Sequence, residues 1–388
     1  MLAAIALGGC GLVPAGPSAT TVTIYSSLPL QGGRQTWARD MVWGEKLALG
    51  EAGGQVAGLH IGYASLDDAD PATGRWNAVR TAANARVASQ DKSTIAYIGD
   101  WDSGATALSL PLINGAGLVQ VSPGASYQGL TAAGSGPDEP QRFLPLGRRN
   151  FGRLVPTDRQ QAPALIRYMR ELGVRRIVVL ADQSHIGAAS AGLVTARARQ
   201  AGIGVVAPAG AGRGLAAAIS DARAGGADAL VVPGDAPASA GALLAALRGG
   251  RGRRLKLFVG YSAFSPESLP RLASAGNEVF LVTPALPVDR YGPAGRAFVS
   301  AFRSRFGTDP GPWAAYGYEA MKVVLSALRA AGPRAADHQA VINAMFALGE
   351  HDSVLGRYAI GPGGDGTLRR FVGERLRGGR LVFDRPLG

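Results

Sequence analysis

The sequence predicts an α/β protein made of two doubly wound parallel-sheet lobes. Three observations predict it. Short apolar strands alternate with amphipathic helices, which builds a parallel sheet with helices on both faces. That rhythm restarts after Arg153. The 388 residues carry 47% apolar side chains, enough for large cores and for two or three domains rather than one.

In the first run, TVTIYSSL (21–28) reads as a buried strand, TWARDMVWGEKLALGEAGG (36–54) as a helix ended by glycine, and LHIGYASLDD (59–68) as a strand. GRWNAVRTAANARVASQ (74–90) follows as a helix, TIAYIGD (94–100) as a strand, a helix opening on Ser-Gly, and GLVQVSP (117–123) as a strand. The stretch 125–150, rich in Gly, Pro and charge, reads as a surface excursion and then a crossing segment. In the second run, helices at 158–173, 185–202, 215–226 and 238–250 alternate with strands at 174–183, 203–210, 227–235 and 255–262. EVFLVTPALP (278–287) is a further strand, and helical patterns follow at 294–307, 312–332 and 337–349. Long helices in that place suit a chain returning to the first sheet. The end, 356–386, alternates like strands joined by glycine turns.

The net charge of +12 comes almost wholly from arginine, since Lys46, Lys92, Lys256 and Lys322 are the only lysines. The arginines are dispersed, with no zinc-finger spacing and no basic helix interleaved with aromatics, so nucleic acid is not an expected partner. A general attraction to anionic surfaces is expected instead. No apolar run has transmembrane length.

Cys10 is the single cysteine, which rules out an internal disulfide. LGGC after MLAAIA resembles a bacterial lipobox, and GLVPAGPSAT looks like a flexible tether, so residues 1–20 are expected to be a lipoprotein signal remnant and tether with lipid on Cys10. Only nine residues precede Cys10 and none is basic, so the expected signal would start upstream of Met1.

GDWDSGAT (99–106) leaves a strand through two carboxylates and a tryptophan and places Ser103 and Gly104 where a helix begins. Such a junction either caps the helix's first N–H groups or lends them to a ligand's negative end. LDDADP, YIGDWDSGATALSLPLINGAGLVQVSPGAS, FGRLVPTDRQQAPAL, RRIVVLADQSHIGAASAGL and GPGGDGTLRRFVGERLRGGRLV together resemble successive landmarks of the leucine/isoleucine/valine-binding protein family, from about Thr21 to the end. The resemblance implies a type I periplasmic-binding fold: two lobes, three crossings, a ligand in the cleft and closure on binding. It assigns 21–147 plus 283–363 to lobe one and 148–282 plus 364–388 to lobe two. It also implies an extracytoplasmic receptor tethered by lipid to the cell membrane, handing a small solute to ABC permease subunits and acting as a monomer.

By the same resemblance, Ser103 holds a ligand carboxylate, Gly124 offers a carbonyl to a ligand ammonium, and Ser126 offers a hydroxyl to the carboxylate. Trp37 stands where the family often places an aromatic pocket wall; a core tryptophan is the alternative. Trp101 either lines the cleft or packs beneath its loop. The second lobe departs from the amino-acid pattern: Ile186 beside His185 replaces a common aromatic, and Tyr261 with Ser262 replaces the usual acid that grips an α-ammonium. A buried ammonium without an anion is costly, so either the ligand differs or the counter-charge has moved. Asp235 is a substitute anion or a helix N-cap, and Asp100 and Asp102 are second candidates read as a solvated rim. Tyr318 is read as core packing more than cleft wall.

Ser103 near acids, with His185, His338 and His351 elsewhere, raises an enzymatic alternative. Neither G-x-S-x-G nor HExxH nor a Walker A motif is present, GYSAF completes only half of the first, and GPGGDG reads as a hairpin turn. No catalysis, cofactor or metal is therefore expected. The other alternative is a ligand sensor or envelope-enzyme regulator on the same fold, for which Trp37, Trp101 and Arg34 would fill the cleft.

Overall fold

In the computed structural model the described residues are 20–387, apart from 135, 183, 207–214, 235–241, 244–246, 248–254, 264 and 275. Cys10 and Asp235 lie outside them.

The first sheet has six strands in the order β2-β3-β1-β4-β5-β6. They are β1 (Thr21–Leu28), β2 (Gln55–Val56), β3 (Leu59–Asp67), β4 (Thr94–Ile98), β5 (Val119–Ser122) and β6 (Phe151–Arg153). All pair parallel except the short β2, which forms a tight antiparallel turn onto β3. β4 and β5 are buried at every residue, as strands covered on both faces must be; TIAYI is largely apolar, and the polar Gln120 and Ser122 of VQVS are hydrogen-bonded within the protein. The helices α1 (Gln35–Glu51), α2 (Ala78–Gln90) and α3 (Ser103–Gly115) connect these strands.

The second sheet has seven strands in the order β13-β12-β11-β10-β9-β7-β8. Its parallel part is β7 (Arg176–Val179), β8 (Gly204–Val205), β9 (Ala229–Val232), β10 (Lys256–Gly260) and β11 (Val279–Thr283). β12 (Val372–Arg377) and β13 (Arg380–Pro386) add an antiparallel hairpin on one edge. The helices α4 (Asp158–Glu171), α5 (His185–Gln200) and α6 (Leu215–Ala224) flank it. Both sheets are thus mixed but dominated by parallel pairing, in agreement with the predicted class.

Three stretches pass between the sheets. β6 still pairs with β5, so the chain stays with the first sheet through Arg153 before α4 packs on α5 and β11. The chain comes back after Thr283: the helices Pro293–Phe306 and Ala314–Ala331 pack on α1, and His338–Ala347 packs on β5. Asp365 bridges to Arg153, and the chain then enters β12. Between 356 and 371 only isolated bridges form, Ile360 with Gly366 among them, so the alternation read there as strands becomes regular strand only from Val372.

The first lobe buries a carboxyl that sets a pH dependence. Glu45 on α1 is fully buried and its Oε2 accepts a hydrogen bond from Tyr63 Oη, while its Oε1 has no hydrogen-bond partner among the described residues. Burial pushes its pKa from 4.5 up to about 8, although the Tyr63 hydrogen bond pulls the other way. The folded state keeps the proton that the unfolded state gives up above 4.5, so this contribution is whole below 4.5 and is lost as pH rises through about 8. Denaturant titrations are expected to show stability falling across that window in the parent protein and a flatter profile in Glu45→Gln. Equal slopes in the two proteins would remove Glu45 as the cause.

Candidate functional site: a cleft between the lobes

The carboxyl ends of both sheets face one cavity of about 580 Å³. Its wall is assembled from segments that directly follow strands: 70–78 after β3, 101–104 after β4, 124–127 after β5, 158–165 after β6, 182–194 after β7, 233–234 after β9 and 261–262 after β10. This is where open parallel sheets present loops and helix starts to a ligand.

The donor side is built at α3. Asp102 stands at its N-cap, yet its side chain caps nothing. The reason is Arg34, whose Nη1 donates to both carboxylate oxygens of Asp102 at 2.7 and 2.8 Å. The first N–H groups of α3 are therefore left without a side-chain acceptor, at the positive end of the helix dipole. The neighbouring helix starts are closed. Asn77 accepts from the amides of Val79 and Arg80, Ser184 from that of Gly187, and Thr157 forms a capping box with Gln160. Ser103 Oγ accepts the Tyr127 amide at 3.1 Å, which leaves its own proton to donate.

Two glycines let aromatic rings come close to this backbone. A Cβ on Gly104 would fall 2.3 Å from Trp76 Cζ2, and one on Gly124 would fall 1.9 Å from Trp101 Cδ1. Trp101 in turn meets Trp313 edge-on at 5.3 Å and Trp37 at 5.7 Å.

The acceptor side is already engaged. Gly124 O accepts from Tyr261 Oη at 2.7 Å, Ala125 O and Tyr127 O both accept from Arg153 Nη1 at 2.8 Å, and Ser126 O accepts from the Asp158 amide at 2.9 Å. Arg153 is wholly buried and also holds Thr131 Oγ1 at 2.7 Å and pairs with Asp365 at 3.0 Å. Burial pushes Asp158 up to about 6, with the Arg153 charge opposing the shift. Behind the wall, burial and the neighbouring Asp100 and Asp102 raise Asp68 well above the usual carboxylate range. Burial likewise raises Asp100 to about 7.

The lobes touch around the cavity. Tyr261 Oη reaches across to Gly124, and Arg34 Nη2 donates to Ser262 O. On another side Tyr127 Oη sits 3.2 Å from His185 Nε2, which faces Glu139 Oε1 at 3.5 Å. The arrangement is that of two lobes shut on a cleft.

Of the residues singled out from sequence, Ser103, Gly124, Ser126, Trp101, Asp102, Ile186 and Ser262 line the cavity together. Trp37 does not: it packs edge-on against Trp101 from behind, 8% exposed. His185 is also outside the lining, because its ring is drawn to Tyr127 and Glu139. The solvated-rim reading of Asp100 and Asp102 is corrected, since they are 0% and 4% exposed and hold Tyr97, Ser109 and Arg34. Tyr318 bonds Glu51, away from the cleft. Arg34 and Trp37 are not among the residues that line the cavity, whereas Trp101 is. Sequence reading missed Trp76, Asn77, Asp158, Gln161 and Ser190. The rule that ligands lie beyond strand carboxyl ends could have found the first three, which directly follow β3 and β6.

Among the described residues no cluster of His, Cys, Asp and Glu is arranged to hold a metal, and no helix is long and apolar enough to cross a membrane.

No curated protein sequence matches the chain. Similar solved structures include a leucine binding protein, LivK, from Thermotoga maritima MSB8, with TM-score 0.78, 20% identity, and 95% of this chain and 99% of that one covered. The branched-chain amino acid transporter substrate binding protein LivJ of Streptococcus pneumoniae, in complex with isoleucine, is similar at TM-score 0.73 and 18% identity over 95% and 100% of the chains. A solute binding protein of an ABC transporter from Rhodopseudomonas palustris HaA2, in complex with p-hydroxybenzoic acid, is similar at TM-score 0.75 and 16% identity over 95% and 96%. The family model for the periplasmic binding proteins matches residues 21–370. With nearly the whole chain matched and both lobes built in that form, this chain belongs to the periplasmic binding protein family.

Proposed function

We propose that the protein is an extracytoplasmic solute-binding receptor of an ABC importer that captures a small carboxylate between its lobes. One observation carries the reading: the side-chain-uncapped start of α3 and the Ser103 hydroxyl face a ligand-sized cavity walled by both lobes. Each lobe supplies part of the wall, so a ligand bound there stabilises the shut form by its differential affinity. The shut receptor then docks on permease subunits, as a monomer held to the membrane through lipid on Cys10. No chemistry on the ligand is required. Leucine, isoleucine and p-hydroxybenzoate, the ligands named for the similar proteins, share a carboxylate beside an apolar body. An apolar or branched-chain amino acid and an aromatic acid both answer that description.

Titration calorimetry and thermal-shift assays against leucine, isoleucine, benzoate and 4-hydroxybenzoate, each beside its primary amide, test the reading. At least one acid is expected to bind, with a stabilisation of about 2.7 kcal/mol at a hundredfold excess over Kd, while its amide does not. Silence from every acid, or equal binding of acid and amide, would overturn it.

A further inference from the structure

We infer that the cleft selects carboxylates bearing no α-ammonium group, with a flat apolar or aromatic body, and that Tyr261 sets this selectivity. The inference rests on the carboxylate-receptor reading above and names the class of ligand.

An ammonium leaving water needs several acceptors and, in a buried site, an anion beside it. The loop 124–127 on the cavity wall cannot supply acceptors in number. Its four successive carbonyls, Gly124 to Tyr127, each already receive a donor from the protein itself. Ser262 O receives Arg34. Each carbonyl keeps a second lone pair, but a lone pair does not replace an anion, and among the described residues every carboxylate on the wall already accepts a hydrogen bond from the protein itself.

The acids on the wall are engaged as well. Asp102 is gripped through both oxygens by Arg34. Asp158 Oδ1 takes the amides of Gln128 and Arg159, and the Arg153 charge lies close by. Asp182 Oδ1 takes the Ser184 amide, and its carboxylate is folded onto the start of α5, where a Cβ on Gly187 would lie 2.3 Å from Oδ1. Asp70 Oδ1 ties an exposed turn through the amides of Ala72 and Thr73.

Tyr261 is the centre of this pattern. It comes from the second lobe after β10, is 5% exposed, and donates to Gly124 O in the place where sequence resemblance set a ligand ammonium. Burial raises its phenol further above its ordinary value, so it stays protonated and remains a donor at any physiological pH. The hydroxyl thus supplies from the protein the donor that an amino-acid ligand would bring. The remaining wall suits a ring or a branched chain: Trp76, Trp101, Tyr127, Leu165, Ile186 and Leu193 surround the space in front of α3.

The test uses matched pairs differing only in the ammonium: L-phenylalanine against 3-phenylpropanoate, and L-leucine against 4-methylpentanoate, with benzoate added, on the intact protein. Calorimetry is expected to give the ammonium-free member at least tenfold tighter binding in a pair that binds. An amino acid binding as tightly as its partner, or more tightly, would overturn the inference and leave the receptor reading standing. Absence of binding by every acid would overturn both. In Tyr261→Phe the preference within a pair is expected to shrink at least threefold, because Gly124 O is left to accept from a ligand. An unchanged ratio, with circular dichroism showing the variant folded, would remove Tyr261 from the account.

Discussion

Arg34→Met is expected to destabilise the protein by about 3–5 kcal/mol, because it strips the partner from a charge that cannot return to water. Asp102 is 4% exposed and Arg34 3%, and the guanidinium also lies over the Trp101 ring at 5.1 Å and straps Ser262 of the other lobe. Loss of the arginine leaves Asp102 beside the buried Asp68 and Asp100 without the guanidinium that grips both of its oxygens. Urea unfolding should therefore show a lowered midpoint. Arg34→Met combined with Asp102→Leu should recover most of the loss, since a buried pair replaced whole is far less costly than one broken. If single and double variants unfold alike, the pair is not what secures this corner of the cleft.

Ser103→Asp is expected to abolish ligand capture while leaving the fold intact. The new carboxylate would sit at the first residue of α3, where the helix dipole favours it by about 0.3–1 kcal/mol. It can keep the bond from the Tyr127 amide, now as acceptor only. Its charge would occupy the seat proposed for the ligand's, so affinity for any bound carboxylate should fall at least a hundredfold in calorimetry, with thermal stability equal or higher. Binding within threefold of the parent protein would place the anion elsewhere.

The alternation of strand and helix is legible because a parallel strand buried on both faces must be apolar, as TIAYI and ALVV are. The place of Ser103 on the cavity wall was also legible, because it stands at a strand-to-helix junction, and that of Gly124 and Ser126 followed from the family resemblance. The pairings that give those positions their chemistry were not. Arg34 and Asp102 are 68 residues apart, Tyr261 and Gly124 137, and no local pattern announces that such pairs meet. The same holds for His185, which looked like cleft wall in its own turn but is turned away by Tyr127 and Glu139. Trp37 was ambiguous for a further reason: a helical tryptophan reads alike whether it faces a ligand or the back of another tryptophan.

Amide NMR during titration with 4-hydroxybenzoate, or with whichever acid of the panel binds, puts the central claim to its most direct trial. Saturable downfield displacement should be greatest for the backbone protons of Ser103, Gly104 and Ala105. Displacements that saturate elsewhere while those three stay still would contradict it.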